Sequence, residues 1–492
     1  MIKTNPLPSP RDFSLLLGAI VRMKHYSTAI RLIEQLRSLG IEDNHFLTIS
    51  LNCFCRLRRF DLGLSILGRI LKLGFPINAV TSGTLIDGLF IQGKTDQALR
   101  FLDDMVRNGP EPNENTYAII AKGLCRAGNT RLAIELLRDW EERSCRLNAF
   151  TYNIVIDSLC KEGLITEALR LHEGMRRKGV KRDVVTCNSL IHGLCNEGLM
   201  GDALALLEEM IGGGVQPDIF TYSSLVHYLC NLGQWKEATI LLEKMMKAGI
   251  EPDVVTYTSV IQGVCNSGQL KEARRLLNHM VESRVMPNVQ TFTILVDAHC
   301  KEGMLVEAEA IVEQMIQLGE MPDIFIYNAL INGYCLQNRM NDAMEFLNLM
   351  IERGCSPDVV CYNTLINGYC KAKRVVKSTM LFREMLRRGL IPDVITYGTL
   401  VNGFCQVGNL QAAEELINEM QSRNLSLNHY TLSSFLDGLC KTQQIDKAMM
   451  LFQKMEGSKF VPNIGCNLMC GRIILLCMDC AKEDAWRKHI SW

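Results

Sequence analysis

Ten cysteines recur at a spacing of 35 residues and are the first candidates for chemistry in this chain. A cysteine thiolate can act as a nucleophile or bind zinc. Identical phases in successive repeats, however, place the sulfur atoms a whole repeat apart, so they cannot converge on one metal ion. We therefore interpret the series as buried core packing and expect a reducing compartment for so many unpaired thiols. The series is Cys125, Cys160, Cys195, Cys230, Cys265, Cys300, Cys335, Cys370, Cys405 and Cys440.

Four further cysteines lie near the C-terminus. Cys477 and Cys480 form a CxxC motif, which Cys466 and Cys470 precede. A single CxxC is a weak zinc signal and this spacing fits no established zinc template, so we expect no metal and no cofactor. An enzyme would need a nucleophile and base, or a metal constellation, in one place. Every other polar candidate belongs to a repeat phase, and we expect no enzymatic activity.

The overall composition is that of a neutral globular protein. Its 492 residues include 53 Lys and Arg against 53 Asp and Glu, so the formal net charge is zero. A neutral chain has no global field to attract a polyanion, and any nucleic-acid contact must be local. No apolar run approaches the ~18 residues of a membrane span, so we expect no membrane partner.

Residues 254–288 show the local structure that each period encodes. The apolar residues of its first half follow the i, i+3, i+4, i+7, i+8 spacing of an amphipathic helix, beginning at Tyr257 and ending at Cys265. Turn residues at 266–269 break the chain, and Leu270 begins a second stripe. One helical pair cannot bury its stripe alone, so neighbouring pairs must stack. The sequence therefore predicts an all-α protein, a right-handed α-solenoid of about thirteen 35-residue helix–turn–helix repeats.

The repeats are numbered from the residue that follows a recurring Asp or Asn, which makes that Asp or Asn position 35. Residues 1–9 are expected to be the remnant of an N-terminal leader. Residues 464–492 are expected to be a degenerate or truncated terminal repeat, because Leu475 stands where the register requires cysteine. The array of thirteen repeats spans 10–463, with bounds 10–43, 44–78, 79–113, 114–148, 149–183, 184–218, 219–253, 254–288, 289–323, 324–358, 359–393, 394–428 and 429–463.

The repeat sequence resembles a known family. Its 35-residue period, its first-helix pattern of the type VVTYNxLIxGxC and its terminal Pro-Asp are similar to the P class of pentatricopeptide repeat (PPR) proteins. The N-terminal segments NPLPS, DFSLLLGAIVRMKHY and LNCFCRLRRFDLGLSILGRILKLGF further resemble the restorer-of-fertility-like subgroup of land plants. Members of that subgroup are mitochondrial proteins that bind RNA and act on organellar transcripts. The resemblance implies a mitochondrial location, single-stranded organellar RNA as partner, and recruited processing proteins; we expect a monomer.

Two repeat positions are candidates for contact with bases. RNA recognition by helical repeats uses about one base per repeat, read by two or three side chains. Position 5 is mostly polar and varies between repeats, and we expect it on the open face of the first helix, off the buried stripe. Position 35 is always Asp or Asn, residues that equally suit a helix N-cap or a turn. In the resembling family, positions 5 and 35 together select the base, and position 2 side chains sandwich it.

Carried over residue by residue, the family pairing assigns bases to nine repeats. The pairs that resemble uridine readers are Asn153/Asp183, Asn188/Asp218, Asn328/Asp358 and Asn363/Asp393. Those that resemble guanosine readers are Ser223/Asp253 and Thr293/Asp323, and those that resemble adenosine readers are Thr48/Asn78, Thr258/Asn288 and Ser433/Asn463. Position 5 has no polar group at Gly83, Ala118 and Gly398, and Ser14 of the shorter first repeat pairs with Asp43 or Asn44. The expected RNA core is U-U-G-A-G-U-U.

A cation recurs at position 13 and leaves two interpretations open. It could contact phosphates, which would give a neutral chain a locally positive groove, or it could be a solvated helix end that complements the dipole. The series is Arg56, Arg126, Lys161, Lys301, Lys371 and Lys441. The alternative to RNA binding is a protein-binding helical scaffold. A scaffold groove, however, has no reason to restrict position 35 to Asp or Asn in phase with a polar position 5.

Overall fold

The computed structural model of the chain describes residues 10–108, 110–143, 145 and 147–456. Across these ranges the regular structure is helical throughout, with 26 α-helices and no β-strand. Odd-numbered helices are the first helices of successive pairs and even-numbered helices are the second. The predicted all-α class is therefore confirmed.

The described chain packs into two compact units. The first contains the described residues up to Leu229 together with Ile240–Glu251, and the second contains Cys230–Thr239 and the described residues from Pro252 onward. Helices of the first unit are α1 (Pro10–Arg22), α2 (Tyr26–Ser38), α3 (Asn44–Arg56), α4 (Phe60–Lys72), α5 (Ala79–Ile91), α6 (Thr95–Asn108), α7 (Glu114–Arg126), α8 (Thr130–Glu142), α9 (Ala149–Lys161), α10 (Ile165–Arg177), α11 (Val184–Asn196) and α12 (Met200–Gly212). Residues of both units occur in α13 (Ile219–Asn231) and α14 (Trp235–Lys247).

The second unit continues the alternation of first and second helices. Its helices are α15 (Val254–Asn266), α16 (Leu270–Glu282), α17 (Val289–Lys301), α18 (Leu305–Gln317), α19 (Ile324–Leu336), α20 (Met340–Glu352), α21 (Val359–Lys371), α22 (Val375–Arg387), α23 (Val394–Gln406), α24 (Leu410–Ser422), α25 (His429–Lys441) and α26 (Ile445–Glu456). Left-handed residues end the helices, as at Gly249 (φ +76°) and Gly268 (φ +70°), where glycine carries no Cβ penalty.

The core follows the phases that recur in the sequence. Tyr257 at position 4, Ala273 at position 20 and Met280 at position 27 are all fully buried. A small side chain at position 20 lets the two helices of a pair approach closely, while the flexible methionine fills the remaining space. The interpretation of these series as core packing is confirmed.

The position-12 cysteines also serve as packing residues. All the cysteines in the described residues are free thiols, and most of the position-12 series is buried. Burial raises the pKa of Cys300 to about 12, so its thiol stays neutral. Its side chain rests against Gly333, at position 10 of the next repeat; a Cβ added there would lie 2.8 Å from Cys300 Cβ and 3.0 Å from its Sγ. Glycine at position 10 therefore makes room for the preceding cysteine.

Gly333→Ala should destabilise the protein. The new methyl group would displace both Cys300 and Leu305, which a Cβ would approach to 2.8 Å. Such overpacking costs about 1–3 kcal/mol. Gly174→Ala is the matched control, because Gly174 lies in α10 with nothing within 4 Å of an added Cβ. Alanine there should stabilise the helix by roughly 0.5–1 kcal/mol. Urea unfolding midpoints of the two variants should shift in opposite directions; a Gly333→Ala midpoint at or above that of the parent would contradict the packing argument.

Metal sites and membrane spans are not evident in the part of the chain that the structure describes. In those ranges, no three His, Cys, Asp or Glu side chains come together as metal ligands. None of the helices there is long and apolar enough to cross a bilayer. The C-terminal cysteines Cys466, Cys470, Cys477 and Cys480 lie outside the described residues.

Candidate nucleic-acid interface

Position 35 caps the first helix of the next repeat. The Oδ1 of Asp183 accepts a hydrogen bond from the backbone N–H of Thr186 at 2.8 Å, and Asp218 does the same for Thr221 at 2.9 Å. The same type of cap recurs at Asn78, Asn113, Asn148, Asp253, Asn288, Asp323, Asp358, Asp393 and Asn428. Position 35 therefore acts as a helix N-cap, and the capping hydrogen bond uses one oxygen of its side chain.

Four asparagines at position 5 are hydrogen-bonded to the aspartate that ends their own repeat. The Nδ2 of Asn153 donates to both carboxylate oxygens of Asp183, at 3.0 and 3.1 Å. Corresponding distances to Oδ1 are 3.0 Å for Asn188 to Asp218, 3.1 Å for Asn363 to Asp393 and 3.4 Å for Asn328 to Asp358. The four pairs assigned to uridine are therefore brought together.

A third side chain completes this arrangement, and the sequence analysis missed it. The hydroxyl of Thr186, at position 3 of the following repeat, donates to Asn153 Oδ1 at 2.6 Å. Thr221 donates to Asn188 Oδ1 at 2.6 Å, and Thr396 donates to Asn363 Oδ1 at 2.7 Å. We call the position-5 and position-35 residues of one repeat, together with the position-3 residue of the next, the inter-repeat cluster. Its sequence signal is a threonine that recurs at position 3 and is fully buried in the structure, as at Thr151, Thr186, Thr256 and Thr291.

Hydrogen bonding keeps Asp183, Asp218 and Asp393 ionised. Burial raises the pKa of Asp183, but the Thr186 backbone N–H, the Thr186 hydroxyl and the Asn153 amide together lower it below its ordinary value of 3.8. The same opposition, with the same net direction, lowers the pKa values of Asp218 and Asp393. An ionised carboxylate only accepts hydrogen bonds, so the amide of the asparagine must turn its NH₂ group toward it. The chemistry of the cluster thereby fixes which way the amide faces.

The threonines at position 5 are held differently. The Thr258 hydroxyl lies 2.6 Å from the Val254 carbonyl and 2.8 Å from the Thr291 hydroxyl, which in turn donates to Asn288 at 2.9 Å. Thr48 is linked to Asn78 in the same way through Thr81, with a longer hydroxyl separation of 3.5 Å. In both repeats the position-3 threonine bridges positions 5 and 35.

In repeat 289–323 the side chains at positions 5 and 35 make separate hydrogen bonds. Thr293 donates to the Val289 carbonyl at 2.8 Å, while Asp323 accepts from the backbone of Phe325 and Ile326, each at 3.1 Å. Ser223 lies in the first unit and Asp253 in the second. Ser14 is half-buried on α1, and Ser433 is half-buried on α25 while its partner Asn463 lies outside the described residues.

The expectation that position 5 lies off the buried stripe is wrong for three of the predicted site residues, whereas Thr293, Asn328 and Asn363 are half-buried. Asn153 is 6% exposed, and Asn188 and Thr258 are each 7% exposed. The first helix of the next repeat covers this side of the helix, which is why its position-3 threonine reaches the position-5 side chain. Little of the position-5 side chain is therefore left for contact with a ligand.

Position 2, by contrast, presents apolar side chains to solvent. Phe325 is 66% exposed, although an aromatic ring of this size is usually at least partly buried. Because positions 2 and 5 are three residues apart on one helix, they lie on the same helix face. The exposed apolar members of the series are Val80, Phe150, Val185, Phe220, Val255, Phe325, Val360, Ile395 and Tyr430.

Four of the six position-13 cations are already paired with carboxylates. Lys161 and Lys301 form ion pairs with the aspartate four residues earlier, each at 2.6 Å, and Lys441 pairs with Asp437 at 2.5 Å. Arg56 pairs with Asp87 of the following repeat at 2.6 Å. These pairs are exposed, so each contributes little to stability. They nevertheless reduce the local positive charge that the sequence pattern suggested.

Comparison with known protein families identifies the repeats. The PPR repeat family matches nine stretches, at 77–126, 122–161, 147–196, 182–231, 223–266, 252–301, 322–360, 357–406 and 392–441. The PPR repeat itself matches 290–320 and 430–460. The chain belongs to the PPR repeat family.

Curated PPR relatives from Arabidopsis thaliana match short parts of the chain. One mitochondrial pentatricopeptide repeat-containing protein is 40% identical over 104 residues, which is 21% of this chain and 17% of the relative. Another, also named as mitochondrial, is 49% identical over 72 residues, or 14% of each protein. The chain thus matches less than a fifth of the length of these relatives.

Solved PPR structures share the fold. The crystal structure of the maize protein PPR10 has a TM-score of 0.54 and 22% identity, and the match covers 99% of this chain and 78% of PPR10. A structure of PPR10 in complex with an 18-nt psaJ RNA element has a TM-score of 0.51 and 20% identity, covering 100% and 86% of the two chains. The helical pairs of this chain are therefore those of a PPR solenoid.

Proposed function

We propose that this PPR protein binds single-stranded RNA sequence-specifically, one base per repeat, in the post-transcriptional control of mitochondrial transcripts. The inter-repeat cluster carries the proposal: it places an oriented amide or hydroxyl at the same point of successive repeats. Helix capping alone requires the Asp or Asn at position 35, but it does not require the asparagine at position 5 that donates to it.

Position 2 supplies the second part of the proposed site. Bases stack on apolar and aromatic faces whatever their identity, which gives affinity without sequence preference. An exposed side chain such as Phe220 or Phe325 offers such a face on the same side of the helix as position 5. We propose that position 2 holds the base and that the inter-repeat cluster reads its edge.

The amide of asparagine suits uracil. Once its NH₂ group is directed at the aspartate, the amide retains one free N–H and an oxygen lone pair, which match the N3–H and a carbonyl of uracil. With the family pairing for the other repeats, the proposed core from repeat 149–183 to repeat 359–393 is U-U-G-A-G-U-U. We further propose that the chain is a P-class, restorer-of-fertility-like PPR protein that acts as a monomer and recruits processing proteins. The mitochondrial relatives support the proposed location.

The purified chain should bind an oligoribonucleotide that carries U-U-G-A-G-U-U at its centre more tightly than the same nucleotides in scrambled order. It should also prefer that RNA to double-stranded DNA. Because four of the six position-13 cations are paired, we expect about two engaged phosphates and a logarithmic salt slope of roughly 1.4. Fluorescence anisotropy at several salt concentrations measures both quantities. Equal affinity for the core and scrambled RNA would contradict the proposal and favour the protein-binding scaffold, whereas a slope near 4 would show that all six cations engage phosphates.

A further inference from the structure

The four repeats with asparagine at position 5 are not equivalent, because the repeats that follow them differ in the residue at position 3. Three of them are followed by a threonine at position 3, namely Thr186, Thr221 and Thr396. Repeat 324–358 is followed instead by Cys361, which is fully buried. Its inter-repeat cluster therefore lacks the hydroxyl group that the others share.

The missing hydroxyl leaves a polar atom without a partner. The Oδ1 of Asn328 is shielded from solvent and has no hydrogen-bond partner among the described residues. Its Nδ2 lies 3.4 Å from Asp358 Oδ1, compared with 3.0–3.1 Å in the three clusters that contain threonine. Burial raises the pKa of Cys361 to about 12, so this residue is a neutral thiol, which is only a weak hydrogen-bond donor. The Asn328 amide is thus held at one end and more loosely.

We infer that the residue at position 3 of the following repeat is a third determinant of base specificity, because its hydroxyl fixes the orientation of the position-5 amide. This inference rests on the proposed RNA binding. An amide held at both ends by aspartate and threonine presents its oxygen and its NH₂ group in one arrangement only. An amide held only by the aspartate keeps its NH₂ group toward the carboxylate but can tilt about that hydrogen bond, so that either its oxygen or its second N–H faces the base.

The tilt matters because uracil and cytosine differ at ring position 3. Uracil has an N–H donor there, and cytosine has an acceptor flanked by the donor N4–H₂. An amide that offers its oxygen to position 3 therefore accepts uracil, and one that offers its second N–H there accepts cytosine. Repeats with the complete cluster, 149–183, 184–218 and 359–393, should select uridine over cytidine. Repeat 324–358 should tolerate either base.

The first test uses the parent protein and replaces single uridines of the core by cytidine, in RNA with flanking nucleotides on both sides. The bases of the core are numbered 1 to 7 from its 5′ end. Replacement of U1, U2 or U7 should weaken binding by about tenfold, the scale of a mismatch in direct readout. Replacement of U6, which faces repeat 324–358, should weaken binding by less than threefold. A tenfold loss at U6 as well would overturn the inference.

The second test transfers the hydroxyl between repeats. Cys361→Thr should raise the penalty for cytidine at U6 to about tenfold and leave the penalty at U1 unchanged. Thr186→Cys should lower the penalty for cytidine at U1 below threefold. Thr186→Ser keeps the hydroxyl and should therefore keep the penalty of the parent protein. Because each penalty is the ratio of the affinities for uridine and cytidine at one position, a general loss of stability would not change it. Urea midpoints confirm that each variant is folded.

Failure of the position-3 inference can be distinguished from failure of the proposed RNA binding. If the protein prefers the U-U-G-A-G-U-U core but Cys361→Thr and Thr186→Cys leave the uridine/cytidine ratios unchanged, position 3 is only a buried packing residue and RNA recognition stands. If the protein does not distinguish the core from scrambled RNA, the inference fails together with the proposed function.

Discussion

Thr293→Asn combined with Ile326→Thr should change the base preference of repeat 289–323 from guanosine to uridine. A threonine hydroxyl at position 5 can make one short hydrogen bond, whereas an asparagine amide offers a donor and an acceptor that match uracil. Asp323 is the position-35 residue of the same repeat and supplies the carboxylate that the amide NH₂ group needs. Binding of U-U-G-A-G-U-U should fall by about one to two orders of magnitude, and U-U-G-A-U-U-U should gain correspondingly.

The second substitution is needed because of the side chain that follows this repeat. Ile326 occupies position 3 of the next repeat, is fully buried, and cannot donate to an amide oxygen. Thr293→Asn alone should therefore place an asparagine in the situation of Asn328, with an oxygen that lacks a partner. The single variant should lose the preference for guanosine and bind RNAs with uridine or cytidine at this position with similar affinity. The double variant should accept uridine over cytidine by about tenfold.

The control for this switch is Ile326→Thr alone. In the parent, Thr293 donates to the Val289 carbonyl, so a new hydroxyl at residue 326 finds no amide to orient and should leave the guanosine preference intact. Affinities for four oligonucleotides that differ only at the fifth core base, measured at one salt concentration, test all three variants. Equal weakening for all four bases in the double variant would mean that residue 293 supports the helix and does not read the base.

The helices were predictable from the sequence because each repeat contains its own signals. In repeat 254–288 the apolar stripe, the turn residues and the second stripe predict two helices, and the structure places them at Val254–Asn266 and Leu270–Glu282. The buried Ala273 and Met280 follow from the same pattern. These features depend on neighbours within a few residues, where periodicity and turn chemistry are informative.

The inter-repeat cluster was only partly predictable, since its contacts join residues of different repeats. Thr186 reaches Asn153 across 33 positions of sequence. A perfect period shows that a residue type recurs, but it does not show which phases of adjacent repeats touch, so the burial of position 5 and the role of position 3 were missed. The ion pair of Lys161 with Asp157 could have been predicted, because oppositely charged residues four apart are neighbours on a helix.

Alanine substitutions of Phe150, Phe220 and Phe325 should together weaken RNA binding by about a hundredfold or more without a change in base preference. Stacking on an aromatic ring contributes roughly 1–3 kcal/mol per base, and contributions from separate repeats should add. All three rings are largely exposed, so their loss should change stability by no more than about 0.5 kcal/mol each. Base preference should persist because the inter-repeat clusters are untouched.

The matched control removes exposed apolar side chains from second helices. Val306 in α18 is 74% exposed and Met380 in α22 is 64% exposed, so their alanine variants also remove exposed apolar surface, but from a different face. Anisotropy titrations of the triple phenylalanine variant and of Val306→Ala with Met380→Ala, on both core and scrambled RNA, separate the two faces. If the triple variant binds within twofold of the parent, bases do not stack on position 2. If the control weakens binding equally, RNA lies along the second helices, and the inter-repeat cluster is a structural cap with no base to read.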